Sequence, residues 1–127
     1  MSGGKPRQEE GDDPFSQFDF LVDFGGGLQG GFQEMSGLGL AGPGQVALKR
    51  GAIAESTWLW DWHRAGKAGG RTVRIRMRDE ALRPVMTWTL TGAWPVTIEG
   101  APGSAGTDAA VIESLALACD GIATDEG

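Results

Sequence analysis

Arg71–Gly100, RTVRIRMRDEALRPVMTWTLTGAWPVTIEG, alternates twice. Val73, Ile75 and Met77 share one parity, and Arg74, Arg76 and Arg78 share the other. After Asp79–Pro84, Met86, Trp88 and Leu90 alternate with Thr87, Thr89 and Thr91. A period of two marks a strand with one buried face. Two such runs around a short polar turn predict an antiparallel hairpin. A lone hairpin is marginal in water, so the rest of the chain must cover its apolar side. The Arg and Thr side is left for water, another subunit or a ligand.

The chain has 127 residues, enough for one domain with one core. Its 22 glycines predict many turns and little long helix. Five tryptophans supply large apolar area, and the absence of tyrosine removes one class of catalytic acid. The formal net charge is −6, of which residues 1–24 carry −4. An acidic chain is a poor sequence-independent nucleic-acid binder, since that affinity comes from neutralising phosphates. No sequence-specific nucleic-acid contact is expected either. Cys119 is the only cysteine, so no disulfide forms within the chain. No apolar run approaches the length of a membrane span, and no membrane partner is expected. Residues 1–14 lack an apolar signal core and read as a flexible acidic arm.

Outward from the hairpin, the remaining elements follow the same rules. Phe18–Phe24 (FDFLVDF) reads as the first strand, closed by three glycines, and Gly31–Ser36 as the second. Gly37, Leu38, Gly39, Leu40, Ala41, Gly42, Pro43 and Gly44 form a loop too rich in glycine and proline to pair. Gln45–Gly51 is a third strand with Val46 and Leu48 inward. Ser56–Ala65 reads as a helix capped by Ser56 or Thr57 and stopped by Gly66. Its apolar stripe is Trp58, Trp62 and Ala65 with Leu59 beside them, and Asp61 can pair with Arg64 on the exposed side. Ala110–Gly121 is the last strand, with Val111, Leu115, Leu117 and Cys119 on one parity. Residues 123–127 read as a short C-terminal tail. The order β-β-β-α-β-β-β predicts a mainly β domain over residues 15–122, a small antiparallel barrel or sandwich with one helix. The predicted core is Trp58, Leu59, Trp62, Val73, Ile75, Met77, Met86, Trp88 and Leu90.

Catalytic chemistry finds little support. His63 is the only histidine and sits in the tryptophan-rich helix. One histidine and one cysteine exclude a structural zinc site of the usual kind. Asp79 and Glu80 are neighbours in a turn, where carboxylates face water rather than form a dyad. Cys119 in a strand reads as a small core residue. No enzyme activity, cofactor or metal is expected.

Several stretches in order resemble the tail tube proteins of contractile-tailed phages and phage-tail-like contractile injection systems. They are FDFLVDFGGGLQGGFQEMSGLGL (18–40), LKRG at Leu48–Gly51 and LWDW at Leu59–Trp62. They continue with Val73–Glu80, PVMTW at Pro84–Trp88, AWPV at Ala93–Val96 and ESLALA at Glu113–Ala118. The resemblance implies a structural subunit that assembles into hexameric rings, whose sheets join into an inner barrel around a lumen for DNA or protein cargo. It implies further copies, neighbouring rings, sheath, and spike or baseplate proteins as partners. It also implies production in the bacterial cytoplasm before incorporation into a phage tail or similar particle. Arg74, Arg76, Arg78, Thr87, Thr89 and Thr91 are then the candidate lumen or intersubunit surface. Members of the family carry a long extended loop where this chain has only Gly39–Val46, and a histidine where it has Cys119. The short loop fits a bulk tube subunit stacking through other surfaces, a tube-end or baseplate adapter ring, or a paralogue that does not stack. A soluble module holding an anionic partner on the Arg stripe is the reading from a different class.

Overall fold

The computed structural model describes residues 15, 17–37, 44–53, 57–101 and 110–126. The N-terminal arm (1–14), the loop residues Leu38–Pro43 and the Ser56 cap lie outside the described residues. Among the described residues, seven strands and one α-helix follow in the order β1 Phe20–Asp23, β2 Gln29–Ser36, β3 Gly44–Ile53, α1 Thr57–Ala65, β4 Arg71–Arg78, β5 Pro84–Ala101, β6 Ala110–Cys119 and β7 Gly121–Glu126. A short 3₁₀ turn, Gly66–Gly69, joins α1 to β4.

All strand pairings are antiparallel, and the sheet order is β4-β1-β2-β3-β6-β5-β7 with a further β4–β5 pairing. That last pairing closes the first six strands into a barrel, the mainly β architecture with a single helix expected from the pattern. Closure satisfies both edges of β4, whose residues pair with β1 on one side and β5 on the other. The predicted hairpin is present, with Val73↔Leu90, Ile75↔Trp88 and Met77↔Met86 opposite one another.

β5 is 18 residues long because β6 and β7 lie end to end along one of its sides. Residues 94–101 pair with β6 and residues 86–91 with β7. The handover falls at Gly92, whose φ is +63°, and the Asp120 amide donates to the Thr91 carbonyl at 2.8 Å. A Cβ at Gly92 would run into the Asp120 carboxylate. The segment read as a C-terminal tail is therefore corrected. Its residues continue β7, held in extended form by backbone pairing with β5 rather than by an apolar face.

The core contains Val22, Phe24, Phe32, Val46, Leu48, Ile53, Leu59, Val73, Ile75, Leu90, Ile112, Leu115 and Leu117, all fully buried. Trp62 is buried with them, and Trp58 and Trp88 are half-buried against this cluster. Met77 and Met86 were placed in the core but are only half-buried and lie outside it. They face each other at the turn end of the hairpin, with Phe20, itself half-buried, across from Met77 on β1.

Helix α1 buries Leu59 and Trp62, while Ala65 is exposed. The buried seam is thus narrower than the predicted stripe and centred on Leu59. Gly66 has φ +63°, the left-handed geometry that ends a helix at low steric cost. The Asp61–Arg64 ion pair forms on the exposed face.

The inward parity of two strands changes part-way along them. β3 turns Val46 and Leu48 inward, then Gly51 and Ile53, and the change falls at Arg50 with φ +55°. β6 turns Ile112 inward, then Leu115, and β5 shifts register opposite, between Glu99 and Gly100. Val111 is consequently 57% exposed, a correction to the inward parity read for it. Gly51 faces inward beneath the Gly31 carbonyl and the Phe32 ring, and both stand where a Cβ would go.

A second parity change sits at the end of β4. The register shifts between Met77 and Arg78, and Arg78 turns inward to 9% exposure. Its guanidinium donates to the carbonyls of Phe15 (2.5 Å) and Phe18 (3.0 Å). Placing Arg78 on the exposed stripe with Arg74 and Arg76 is therefore corrected: opposite this step β5 carries an extra residue, Val85, and Arg78 leaves the alternation of the strand before it.

Two stability predictions follow from these contacts. Gly51→Ala should cost about 2–3 kcal/mol by overpacking, read from denaturant midpoints, and a loss under about 0.5 kcal/mol would contradict the packing described. Arg78→Ala should cost about 2–4 kcal/mol, because two carbonyls lose a charged donor, whereas Arg76→Ala should stay within about 0.5 kcal/mol. Equal losses for the two would place Arg78 back on the solvent face.

Candidate assembly surface

Residues directly opposite on antiparallel strands project to the same face. Across β1, β4, β5 and β7 this aligns Asp23, Arg74, Thr89 and Ala123 in one row. The next row is Leu21, Arg76, Thr87 and Asp125, and Thr91 pairs with Gly121 beyond them. Arg74 and Thr91 are exposed, and Arg76, Thr87 and Thr89 are half-exposed. Five of the six residues chosen from sequence thus lie on one polar face, and Arg78 does not. Asp23 and Asp125 flank the two arginines, so the face is mixed in charge rather than a cationic stripe.

At one end of β4 lies an open notch of about 510 Å³, lined by Phe24, Gly25, Gly26, Leu28, Arg71, Thr72 and Arg74. Gly25, Gly26 and Gly27 all have positive φ, a backbone course that side-chain-bearing residues resist. Asp23 accepts the Gly25 amide at 2.8 Å, fixing the turn. Arg71 shares inward parity with Val73, and its guanidinium lies 5.2 Å from the Trp62 ring and 5.8 Å from Trp58. It also donates to the Phe24 carbonyl at 3.2 Å. Phe24, Trp58 and Trp62 pack as a cluster with ring centroids 4.9–5.9 Å apart, and Trp62 Nε1 donates to the Gly69 carbonyl at 2.8 Å. This cluster seats α1 against the barrel. Sequence reading passed over Arg71 because its parity marks it as inward; the signal was the pair of tryptophans, a natural seat for a guanidinium.

At the other end of β4 is a notch of about 390 Å³ lined by Asp19, Phe20, Met77, Arg78, Asp79 and Glu80. The Asp79 carboxylate accepts the amides of Ala81 (2.9 Å) and Arg83 (3.0 Å) and pairs with the Arg83 guanidinium at 3.4 Å. The Arg83 amide is the chief cause of an Asp79 pKa below the usual carboxylate value. A lowered folded-state pKa stabilises the turn above the unfolded pKa and ceases to do so as pH falls through the folded value. Asp79 therefore organises a hairpin turn in which Leu82 takes φ +65°.

The remaining candidates are structural. His63 Nε2 lies 3.2 Å from the Val96 carbonyl, beside a register shift in β5 between Pro95 and Thr97. Cys119 is buried, and burial pushes its thiol pKa up, which disfavours the reactive thiolate. No group of three potential metal ligands occurs among the described residues. Within the Gly37–Gly44 loop, which the resemblance makes a shortened ring-stacking loop, only Gly37, exposed with φ +91°, and Gly44, the first residue of β3, are described. No described helix is long and apolar enough to cross a membrane.

Comparison with curated proteins finds no match. Among solved structures, a chain of the sheath–tube complex of an extracellular contractile injection system (PVC, extended state) superposes with TM-score 0.62 at 17% identity, covering 95% of this chain and 97% of that one. A chain of the anti-feeding prophage tube-terminating cap gives 0.61 at 16% identity, covering 90% and 92%. Hcp1 from Flavobacterium johnsoniae gives 0.62 at 11% identity, covering 87% and 97%. These identities carry the fold. Residues 39–123 match the family described as T4-like virus tail tube protein gp19, a family of structural proteins rather than enzymes. That span holds strands β3 to β6 and the hairpin that closes the barrel, and the chain belongs to the T4-like tail tube protein family.

Proposed function

We propose that this protein is a ring-forming subunit of the inner tube of a contractile phage tail or contractile injection system. Six copies close side by side around a lumen, and the rings stack into a tube that passes DNA or protein cargo. The chain is made in the bacterial cytoplasm and then incorporated into the particle with sheath and with spike or baseplate proteins. The observation that carries this reading is the family match over residues 39–123, which includes both strands of the closing hairpin. The polar face bearing Arg74, Arg76, Thr87, Thr89 and Thr91 supports it. Its mixed charge suits contact with further copies or a hydrated lumen better than capture of a single anion. The outer edge of β7, which pairs with no other strand among the described residues, adds a second surface on which another strand can dock. A tube-end adapter ring is the second reading, favoured by the short Gly37–Gly44 loop. Negative-stain microscopy of the purified protein should show rings with a central opening, and quantitative mass spectrometry of isolated contractile particles should find it there. Copy numbers comparable to the sheath protein assign it to the bulk tube, and a single ring per particle assigns it to an end. Strictly monomeric protein at high concentration, together with absence from such particles, would overturn the proposal.

A further inference from the structure

The two notches at opposite ends of the β1–β4 pair have opposite character. The first strand begins at the Asp19–Phe20 end and finishes at Phe24, while β4 runs the other way, from Arg71 to Arg78. The notches therefore lie toward opposite ends of β4, and their linings come nearest at Arg74 and Met77, about 10 Å apart along the strand at roughly 3.3 Å per residue. One end presents Arg71 and Arg74 above an apolar floor of Phe24 and Leu28. The 3₁₀ turn that leads into it carries Lys67, which is exposed. The opposite end presents Asp19, Asp79 and Glu80 around Phe20 and Met77.

The charges at each end are partly used within the chain. Asp23 holds the Gly25 amide, Asp79 holds its own turn and Arg83, and Arg78 is turned inward to the Phe15 and Phe18 carbonyls. Arg74 and Glu80 are exposed and form no ion pair with another described residue. Exposed Lys67 at the basic end and exposed Asp19 at the acidic end likewise form no ion pair among the described residues.

We propose that these ends dock on each other: the Asp19/Glu80 end of one copy seats on the Arg71/Arg74 end of the next. The occupant of the basic notch is a second copy of this chain, recognised through carboxylates beside a half-buried Phe–Met pair. Such a contact uses two different patches, so it repeats head to tail rather than pairing two copies, and between rings that share an axis it builds a stack. This inference rests on the ring-forming reading above and supplies the axial contact that the short Gly37–Gly44 loop leaves to other surfaces. Opposite charges on the facing ends also set polarity, since two like ends repel. Because the charged groups are exposed, salt weakens the contact over the Debye length, about 8 Å at physiological ionic strength.

Exposed charges are the suitable variants, since Arg71 also seats the helix. Arg74→Glu and Glu80→Arg, each alone, should leave single rings intact but abolish stacks longer than one ring, read by sedimentation velocity and negative-stain microscopy. The double variant R74E/E80R restores opposite charges across the contact and should recover stacking. Stacks of the unmodified protein should shorten as sodium chloride rises. Single variants that stack as far as the unmodified protein overturn this proposal and leave the ring reading standing. So does a double variant that fails to recover. Loss of rings themselves in Arg74→Glu assigns that residue to the side-to-side contact and likewise overturns it. An unmodified chain that forms neither rings nor stacks removes both readings together.

Discussion

Strand β4 is paired on both sides, and the architecture depends on that fact. Its contact with β1 joins the N-terminal strands to the central hairpin, and its contact with β5 closes the circle. Without either one the sheet has open edges and the core loses a wall. The same strand divides the chemistry of the protein. Val73 and Ile75 are fully buried inside the barrel, while Arg74 and Arg76 lie on the polar outer face. Its ends carry the two charged notches. Closure and surface chemistry are thus written into the same eight residues.

Around β4, two kinds of local adjustment fit an alternating pattern to a closed barrel. Register shifts and parity changes bend the strands where the wall must curve, at Arg50, between Glu99 and Gly100, and between Met77 and Arg78. The cost is local: Arg50 adopts a left-handed φ, and an arginine is brought inside at Arg78. Carbonyls of Phe15 and Phe18 offset the second by accepting from the guanidinium. The exposed Arg50–Glu34 ion pair beside the first contributes little, as solvent-exposed pairs do. Elsewhere α1 packs against the barrel through Leu59 and Trp62, with Arg71 over the tryptophans. Long β5 then carries β7 alongside it, and among the described residues β7 pairs with β5 alone.

Much of this was readable in the sequence, and the failures share a cause. The alternation of Val73 with Ile75, and the burial of Leu90, follow from period two because these positions lie in uninterrupted pairing. Arg78 and Val111 follow the same period on paper but lie past shifts in register, which backbone geometry imposes and composition does not announce. Met77 and Met86 alternate correctly yet sit beside the hairpin's turn, outside the core cluster. Residues 123–127 read as a tail because none of them is strongly apolar, and pairing with β5 makes residues 123–126 extended. Arg71 was overlooked because a charge of inward parity is read as an exception, although two tryptophans were waiting for it. The family, by contrast, was visible through the order of several weak motifs, and the match over residues 39–123 covers those from LKRG to ESLALA, with the opening run at 18–38 outside it.

The central claim is that a closed barrel with a mixed-charge polar face is built to meet further copies of itself. A cryo-electron microscopy reconstruction of the purified assembly tests it most directly. The account predicts a closed ring around an open lumen, with Arg74, Arg76, Thr87 and Thr89 on the lumen wall or against a neighbouring subunit. A particle without a lumen, or a ring in which that face points outward to bulk solvent, would contradict it.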